Sequence, residues 1–276
     1  MDMKNRIVLV TGSTDGVGRV VARRLGESGA HVFVHGRDGK RGESLVAEIE
    51  AEGGKADFLA ADLASLAEVR RLAETVRNRT DRLHLLINNA GIGTSSGGAD
   101  RRTSADGYEL RFAVNYLAGF LLTRLLLPLM TQSAPARIVN VASAGQQAID
   151  FDDVMLTRSY SGVRAYCQSK LAQIMSAIDL AAELEGSGVT VNSLHPASYM
   201  NTTMVRDAGI EPWSTVEQGA DAILNLATSP ALEGRSGLYF DGLREARANA
   251  QAYDLEARRK LRELSLDLTG LSPRQA

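Results

Sequence analysis

A single doubly wound α/β domain, with a mostly parallel seven-stranded sheet and helices on both faces, is what this 276-residue sequence predicts. Three observations predict it. Short β-branched apolar runs alternate with longer helix-patterned stretches along the chain. The runs are apolar without strict alternation, as suits strands covered on both faces. Repeated strand–helix–strand units then impose parallel pairing with right-handed crossovers. No linker, repeat or low-complexity stretch divides the sequence, so residues 1–276 read as one domain.

The elements follow in order. Ile7 to Val10 reads as the first strand, Gly12 to Gly18 as a turn and Val20 to Ser28 as a helix. His31 to His35 is the second strand, with a helix over Gly42 to Ala51. Ala56 to Ala60 is the third, with a helix over Leu66 to Asn78. Leu83 to Ile87, Arg137 to Val141 and Val189 to Leu194 supply three more strands, and Gly237 to Phe240 the last. Two segments interrupt the rhythm: the long connection from Ala144 to Arg164, and Ala197 to Trp213. Long ordered loops in compact domains are often functional, so both are expected to shape the substrate site. The tail, about 245–276, is helix-patterned, with Leu261, Leu264 and Leu268 on a core-facing stripe.

Composition narrows the function. Lys and Arg number 31 against 33 Asp and Glu, a net charge of −2, and a nucleic-acid binder would show a basic excess. The one cysteine, Cys167, excludes an internal disulfide and any multi-cysteine metal site. Four scattered histidines without HExxH form no metal constellation. The most apolar stretch, Leu117 to Met130, contains Arg124 and Pro128 and reads as too short to span a bilayer. The N-terminus runs straight into the first strand, leaving no room for a signal peptide. The expectation is a soluble cytoplasmic protein with a small-molecule substrate, no nucleic acid and no membrane span.

Thr11 to Gly18 carries the spacing GxxxGxG between the first strand and the first helix. Glycines there let the backbone approach a pyrophosphate, whose charge faces the free N–H groups of the helix start. Arg19-Val20 stands where a Walker loop needs Lys-Ser or Lys-Thr. Tight helix–strand packing alone would also use such glycines. At the end of the second strand, Gly36 offers no carboxylate to a ribose hydroxyl, and Arg37 offers a planar fork suited to a 2′-phosphate, which favours NADP(H) over NAD(H).

Tyr166 and Lys170 are four apart on helix-patterned sequence and share a face. Ser143 ends one strand, Asn88-Asn89-Ala90-Gly91 ends another, and Asn115 lies in the next helix. Ligands of doubly wound sheets bind beyond the carboxyl ends of the strands, where Ser143 and the NNAG turn stand. Together, TGxxxGxG, NNAG, Asn115, Ser143 and YxxxK make the chain resemble the short-chain dehydrogenase/reductase family, which has the Rossmann fold, over nearly its whole length. Residues 149–153 and the tail around Tyr239-Phe240, Arg262 to Ser265 and Leu268 to Leu271 resemble its retinol-dehydrogenase-like branch.

The resemblance implies a catalytic set of Asn115, Ser143, Tyr166 and Lys170. Tyr166 would protonate a carbonyl oxygen, its phenol made acidic by the Lys170 ammonium; Ser143 would hydrogen-bond that oxygen; Asn115 would hold a water linking Lys170 to solvent. It implies cofactor contacts from Gly12, Ser13, Gly16, Val17 and Gly18 at the phosphates, Arg37 at the 2′-phosphate, and Asp62 and Leu63 at the adenine. Asn89, Ala90 and Gly91 would line the ribose, Tyr166 and Lys170 would also meet the cofactor, Pro196 would open the loop over the nicotinamide, and Thr202 or Thr203 would reach the carboxamide or the pyrophosphate. The sequence departs from the family at Ala197, in place of the usual glycine, and at Asp15, where many NADP-dependent members are basic. A homo-oligomer, dimer or tetramer, is implied by resemblance alone.

Ile149, Phe151, Met155, Tyr199, Met200, Met204 and Trp213 suit a mostly apolar pocket, hence a hydrophobic ketone, aldehyde or alcohol. Competing readings are a catalytically silent NADP(H)-binding sensor or scaffold, and another Rossmann enzyme such as a methyltransferase in which YxxxK is accidental.

Overall fold

Strand alternation sends side chains to two faces, and here both faces are apolar. Leu9 and Phe33 enter one core cluster while Val8, Val10, Val32 and Val34 enter the other. The computed structural model describes residues 1–94 and 100–272. Its sheet runs in the order β3 (Lys55–Ala60), β2 (His31–Gly36), β1 (Ile7–Val10), β4 (Leu85–Asn88), β5 (Ala136–Val141), β6 (Val189–His195), β7 (Tyr239–Asp241), β8 (Arg244–Ala246). Every pair is parallel except β7–β8, an antiparallel hairpin in which Tyr239 faces Ala246. The expected seven strands are thus eight.

Helices α1 (Gly16–Glu27), α2 (Gly39–Ala51) and α7 (Val216–Thr228) fill one face, with Val21, Leu25, Leu45, Ile49 and Ile223 inward. The other face carries α3 (Leu66–Arg79), α4 (Ala118–Gln132), α5 (Gly162–Glu183) and α8 (Leu255–Thr269). A short α6 (Thr203–Asp207) lies in the expected loop after β6. Residues 273–276 of the expected helical tail lie outside the described residues. Side-chain caps start each long helix on that second face except α4: Ser65 bonds Glu68 N, Ser161 bonds Arg164 N, and Asp254 bonds Glu256 N and Ala257 N.

One turn of π-helix, Phe112–Leu117, leads directly into α4. The combined helix, Phe112–Gln132, has 21 residues, so the stretch expected to be too short is in fact long and apolar enough to cross a membrane, with a mean hydropathy of 1.6. Within this fold 72% of that apolar window is buried.

The strand order reverses direction between β1 and β4, opening a crevice beyond their carboxyl ends. Two long segments border it. Residues 144–164 are fastened rather than loose. The Asp153 carboxylate accepts from Thr157 N, Thr157 Oγ1 and Arg158 N, and Arg164 pairs with Asp150 at 3.1 Å. Gln251, near the C-terminus, bonds Ile149 through both its amide atoms, at 2.6 and 3.1 Å. Asp153 therefore caps a turn.

Candidate active site

The glycine-rich turn is shaped by contacts that leave no space for side chains. Gly12 has φ +64°, and a Cβ there would stand 2.8 Å from Ala90 Cα. A Cβ at Gly18 would meet Asn89 Nδ2 at 2.3 Å and Gly12 O at 2.4 Å. Asn89 donates to Thr11 O (2.9 Å) and Gly12 O (3.0 Å), while Thr11 Oγ1 accepts from Asn89 N and Ala90 N. The NNAG turn thus locks the glycine-rich turn in place, so Asn89 is a brace of that turn.

His35 supports the turn from below. Its buried Nδ1 accepts from Gly12 N at 3.1 Å, and burial pulls its pKa down to about 4, so the ring is neutral. Asp15 caps α1 by accepting from Gly16 N (2.8 Å) and also holds Thr203 Oγ1 (2.9 Å) and Arg41 (3.2 Å). Burial alone would raise its pKa, but these hydrogen bonds outweigh it and keep the carboxylate charged. Thr202 lies against the same turn, since a Cβ on Gly16 would reach its Cγ2 at 3.3 Å.

Arg37 follows β2 exposed, with no ion pair or hydrogen bond among the described residues. At Gly36 a Cβ would lie 2.5 Å from Thr14 Cγ2 and 2.6 Å from Thr14 Oγ1, so Thr14 fills the place where a ribose-binding carboxylate would start. Neither Thr14 nor Arg41 was marked by the sequence. Asp62 turns back on its own loop, accepting from Ala64 N, and Leu63 is buried in the core cluster. Pro196 is buried directly after β6.

Asn115, Ser143, Tyr166 and Lys170 converge beyond β4 and β5. A Cβ on Gly91 would come 3.3 Å from Asn115 Oδ1 and 3.4 Å from Lys170 Nζ. One on Gly145 would come 3.5 Å from Ser143 Oγ and Cys167 Sγ and 3.7 Å from Tyr166 Cε1. Glycine at both places leaves these groups open to the crevice. Asn115 sits in the π-helical turn, a feature common at functional sites, and clasps Ile92 by accepting from its N (2.8 Å) and donating to its O (3.2 Å). Arg111, one turn earlier, is buried and holds Gly93 O (2.9 Å) and Thr94 O (2.6 Å), with Tyr160 and Glu109 completing the network. Segment 91–94 is therefore fixed from one helical end.

The Tyr166 phenol departs from expectation. Burial pushes its pKa up, with the Ser143 hydroxyl beside it pulling in the opposite direction. Lys170 is not what governs it: the ammonium lies 5.9 Å from the ring centroid and donates to Val141 O (2.8 Å) and Gln173 Oε1 (3.0 Å). In this state the phenol stays protonated. Lys170 itself is 4% exposed, and burial lowers its pKa to about 7. Burial raises the Cys167 thiol, which leaves it an unreactive neighbour.

Of the residues expected to line a pocket, Ile149 is core, and Phe151 and Met155 pack against it. Met200 packs on the opposite cluster. Tyr199, Met204 and Trp213 remain exposed, the last at 75%, with Trp213 edge-on to Tyr199 at 4.8 Å.

Comparison with known proteins places this geometry. The family model for short chain dehydrogenase matches residues 6–212. Human (Homo sapiens) retinol dehydrogenase 11 is 36% identical, covering 98% of this chain and 88% of that protein. An uncharacterized protein from Mycobacterium Paratuberculosis superposes with a TM-score of 0.80 at 27% identity, covering 98% of this chain and 96% of the other. The Pseudomonas aeruginosa RhlG/NADP active-site complex does so with 0.69 at 31% identity, covering 86% and 94%. The chain belongs to the short chain dehydrogenase family of oxidoreductases, in its retinol-dehydrogenase-like branch.

Proposed function

We propose that the protein is an NADP(H)-dependent oxidoreductase acting on the carbonyl, or the matching alcohol, of a mostly hydrophobic small molecule. The observation that carries this reading is the convergence of Ser143, Tyr166, Lys170 and Asn115 on two glycines at the mouth of the dinucleotide crevice. The crevice fits the cofactor. By the family resemblance the turn of Gly12, Ser13, Gly16, Val17 and Gly18 would meet the pyrophosphate at the start of α1, and Asn89, Ala90 and Gly91 would meet the ribose; in the free chain Gly12 N, Ser13 N and Gly16 N are taken by His35 and Asp15. By the same resemblance Asp62 and Leu63 would meet the adenine, and Pro196 and Thr202 would close the nicotinamide end. Arg37, unpaired beside a Gly36 that has no room for a carboxylate, supports NADP(H) over NAD(H). The neighbouring RhlG structure is itself an NADP complex.

When bound, the cofactor supplies or accepts a hydride. The chain's residues do the rest. Ser143 Oγ hydrogen-bonds the substrate oxygen as charge develops on it. Tyr166, protonated in this state, gives its proton to that oxygen in carbonyl reduction and takes it back in the reverse direction. Lys170, close to its own titration point at neutral pH, holds a positive charge behind the phenol and steadies the phenolate left after transfer. Tyr199, Met204 and Trp213 present apolar surface at the mouth, which suits a hydrophobic substrate. In this reading Phe112–Gln132 is a core helix, supported by its burial.

Purified protein should reduce hydrophobic ketones or aldehydes with NADPH. Tyr166→Phe should cut the rate by roughly 10²–10⁴-fold while leaving NADPH fluorescence binding intact. Binding without turnover in the unmodified protein would instead support a silent sensor. Arg37→Ala should weaken NADPH about tenfold or more and leave NADH nearly unchanged; equal losses would remove Arg37 from the phosphate.

A further inference from the structure

We propose that Gln173 is a positioning residue for this site: its carboxamide holds the Lys170 ammonium and leaves one N–H for the crevice. The proposal rests on the oxidoreductase reading above and adds to it a residue outside the Ser143–Tyr166–Lys170 constellation.

An ammonium has three donors and no acceptor, so its direction is set by what accepts from it. Lys170 lies in the middle of α5 and donates to Val141 O at 2.8 Å and to Gln173 Oε1 at 3.0 Å. Val141 O belongs to the last residue of β5 and is fixed by the sheet. Gln173 is the side-chain half of this clamp, three residues on along the same helix. With two donors committed, the third is left for the side of Nζ toward Gly91, where a Cβ would approach to 3.4 Å and glycine keeps the way clear.

The surroundings of Gln173 show what holds it. It is buried, and it lines a cavity of about 20 Å³ between α4 and α5 together with Asn140, Thr123 and Ser176. That space and those polar neighbours are of a size and kind to take a single water beside the far side of the amide. Asn140 is tied in turn to Asn88 and Thr123. The pocket is neutral on the side facing Lys170. The titratable groups around the ammonium are Tyr166 on its own helix and His195 at the end of β6, with Asp241 of β7 acting on His195 from behind. Arg124, at the far wall, is paired with Glu183. A neutral acceptor therefore lets burial bring Lys170 to about 7 without a carboxylate pulling it back up.

The test reads the amine directly. Protein carrying ¹³C-labelled lysine is titrated by NMR, the Lys170 Cε signal being assigned by its loss in Lys170→Met, in the unmodified chain, Gln173→Glu and Gln173→Met. The added carboxylate should raise the midpoint by about one pH unit or more, and loss of the acceptor should lower it. Carbonyl reduction at pH 7 should fall about tenfold in Gln173→Met, while Gln173→Glu keeps its rate with the alkaline limb moved upward. Should Gln173→Met not fold, the Gln173→Glu midpoint decides alone. An unmoved midpoint in Gln173→Glu overturns the proposal. Because this signal needs no turnover, a protein that reduces no carbonyl would overturn the oxidoreductase reading and leave the Gln173 assignment to its own titration.

Discussion

Acid should reach the glycine-rich turn through His35. Its imidazole titrates near 6.5 when unfolded and at about 4 in the folded chain. The neutral ring thus favours folding in full above pH 6.5, and that contribution is lost as pH falls from 6.5 toward 4. The whole loss is about 3 kcal/mol. Protonation of Nδ1 in the folded chain also ends its acceptance from Gly12 N, so nucleotide affinity should hold down to about pH 5 and fall only as pH approaches 4. Denaturant unfolding at pH 7 and pH 4.5 checks this against His35→Asn, whose stability should change less with pH. Parallel losses in both proteins would remove His35 as the sensor.

At the scale of elements, α8 depends on its start. Asp254 accepts from Glu256 N at 2.9 Å and Ala257 N at 3.2 Å, and the helix buries Leu261, Ser265 and Leu266. Ser265 Oγ meets Tyr116 OH at 2.6 Å, which ties α8 to the helical turn carrying Asn115. Asp254→Ala should cost about 1 kcal/mol and lower Tm by about 2–4 °C without changing the pH profile of turnover, readable by calorimetry beside kinetics. The elements that were legible in the sequence are those with a hydrophobic run to show. Ile7 to Val10 and Val189 to Leu194 lie buried between helical layers, and β-branched composition announces them. Arg244–Ala246 could not be read in that way, because it is three residues long, two of them charged, and lies at the sheet edge, paired to one strand alone. Nor could the π-helical turn, since a shift in backbone hydrogen bonding leaves no mark on composition. The same division applies to the candidate site. Tyr166, Lys170, Ser143 and Asn115 were visible as residue types at characteristic spacings. Gln173 was within reach as a helix neighbour three residues beyond Lys170, whereas Thr14 and Arg111 act through contacts that only the fold creates. The phenol's raised pKa was not legible either, because it depends on how closely the protein packs around Tyr166.

The whole molecule brings distant stretches of chain to one mouth. Gln251 staples residue 149, Asn249 N donates to Gln146, and Tyr239 OH donates to Ser143 O, so the C-terminal segment shapes the site beside Tyr166. At the opposite end of the crevice the contact between Thr14 and Gly36 joins two strand ends that are far apart in sequence. Gly36→Asp alone should lower Tm and gain little NADH affinity, whereas Thr14→Ala combined with Gly36→Asp should recover the stability and strengthen NADH. Thermal melts and titrations with both nucleotides would check it, and a single substitution that converts the preference cleanly would refute the coupling. Thr14 thus acts as a ratchet on coenzyme choice. A lineage carrying it must shrink that threonine before an acidic residue can settle at the second strand, so the order of the two mutations decides whether the path to the other nucleotide is open.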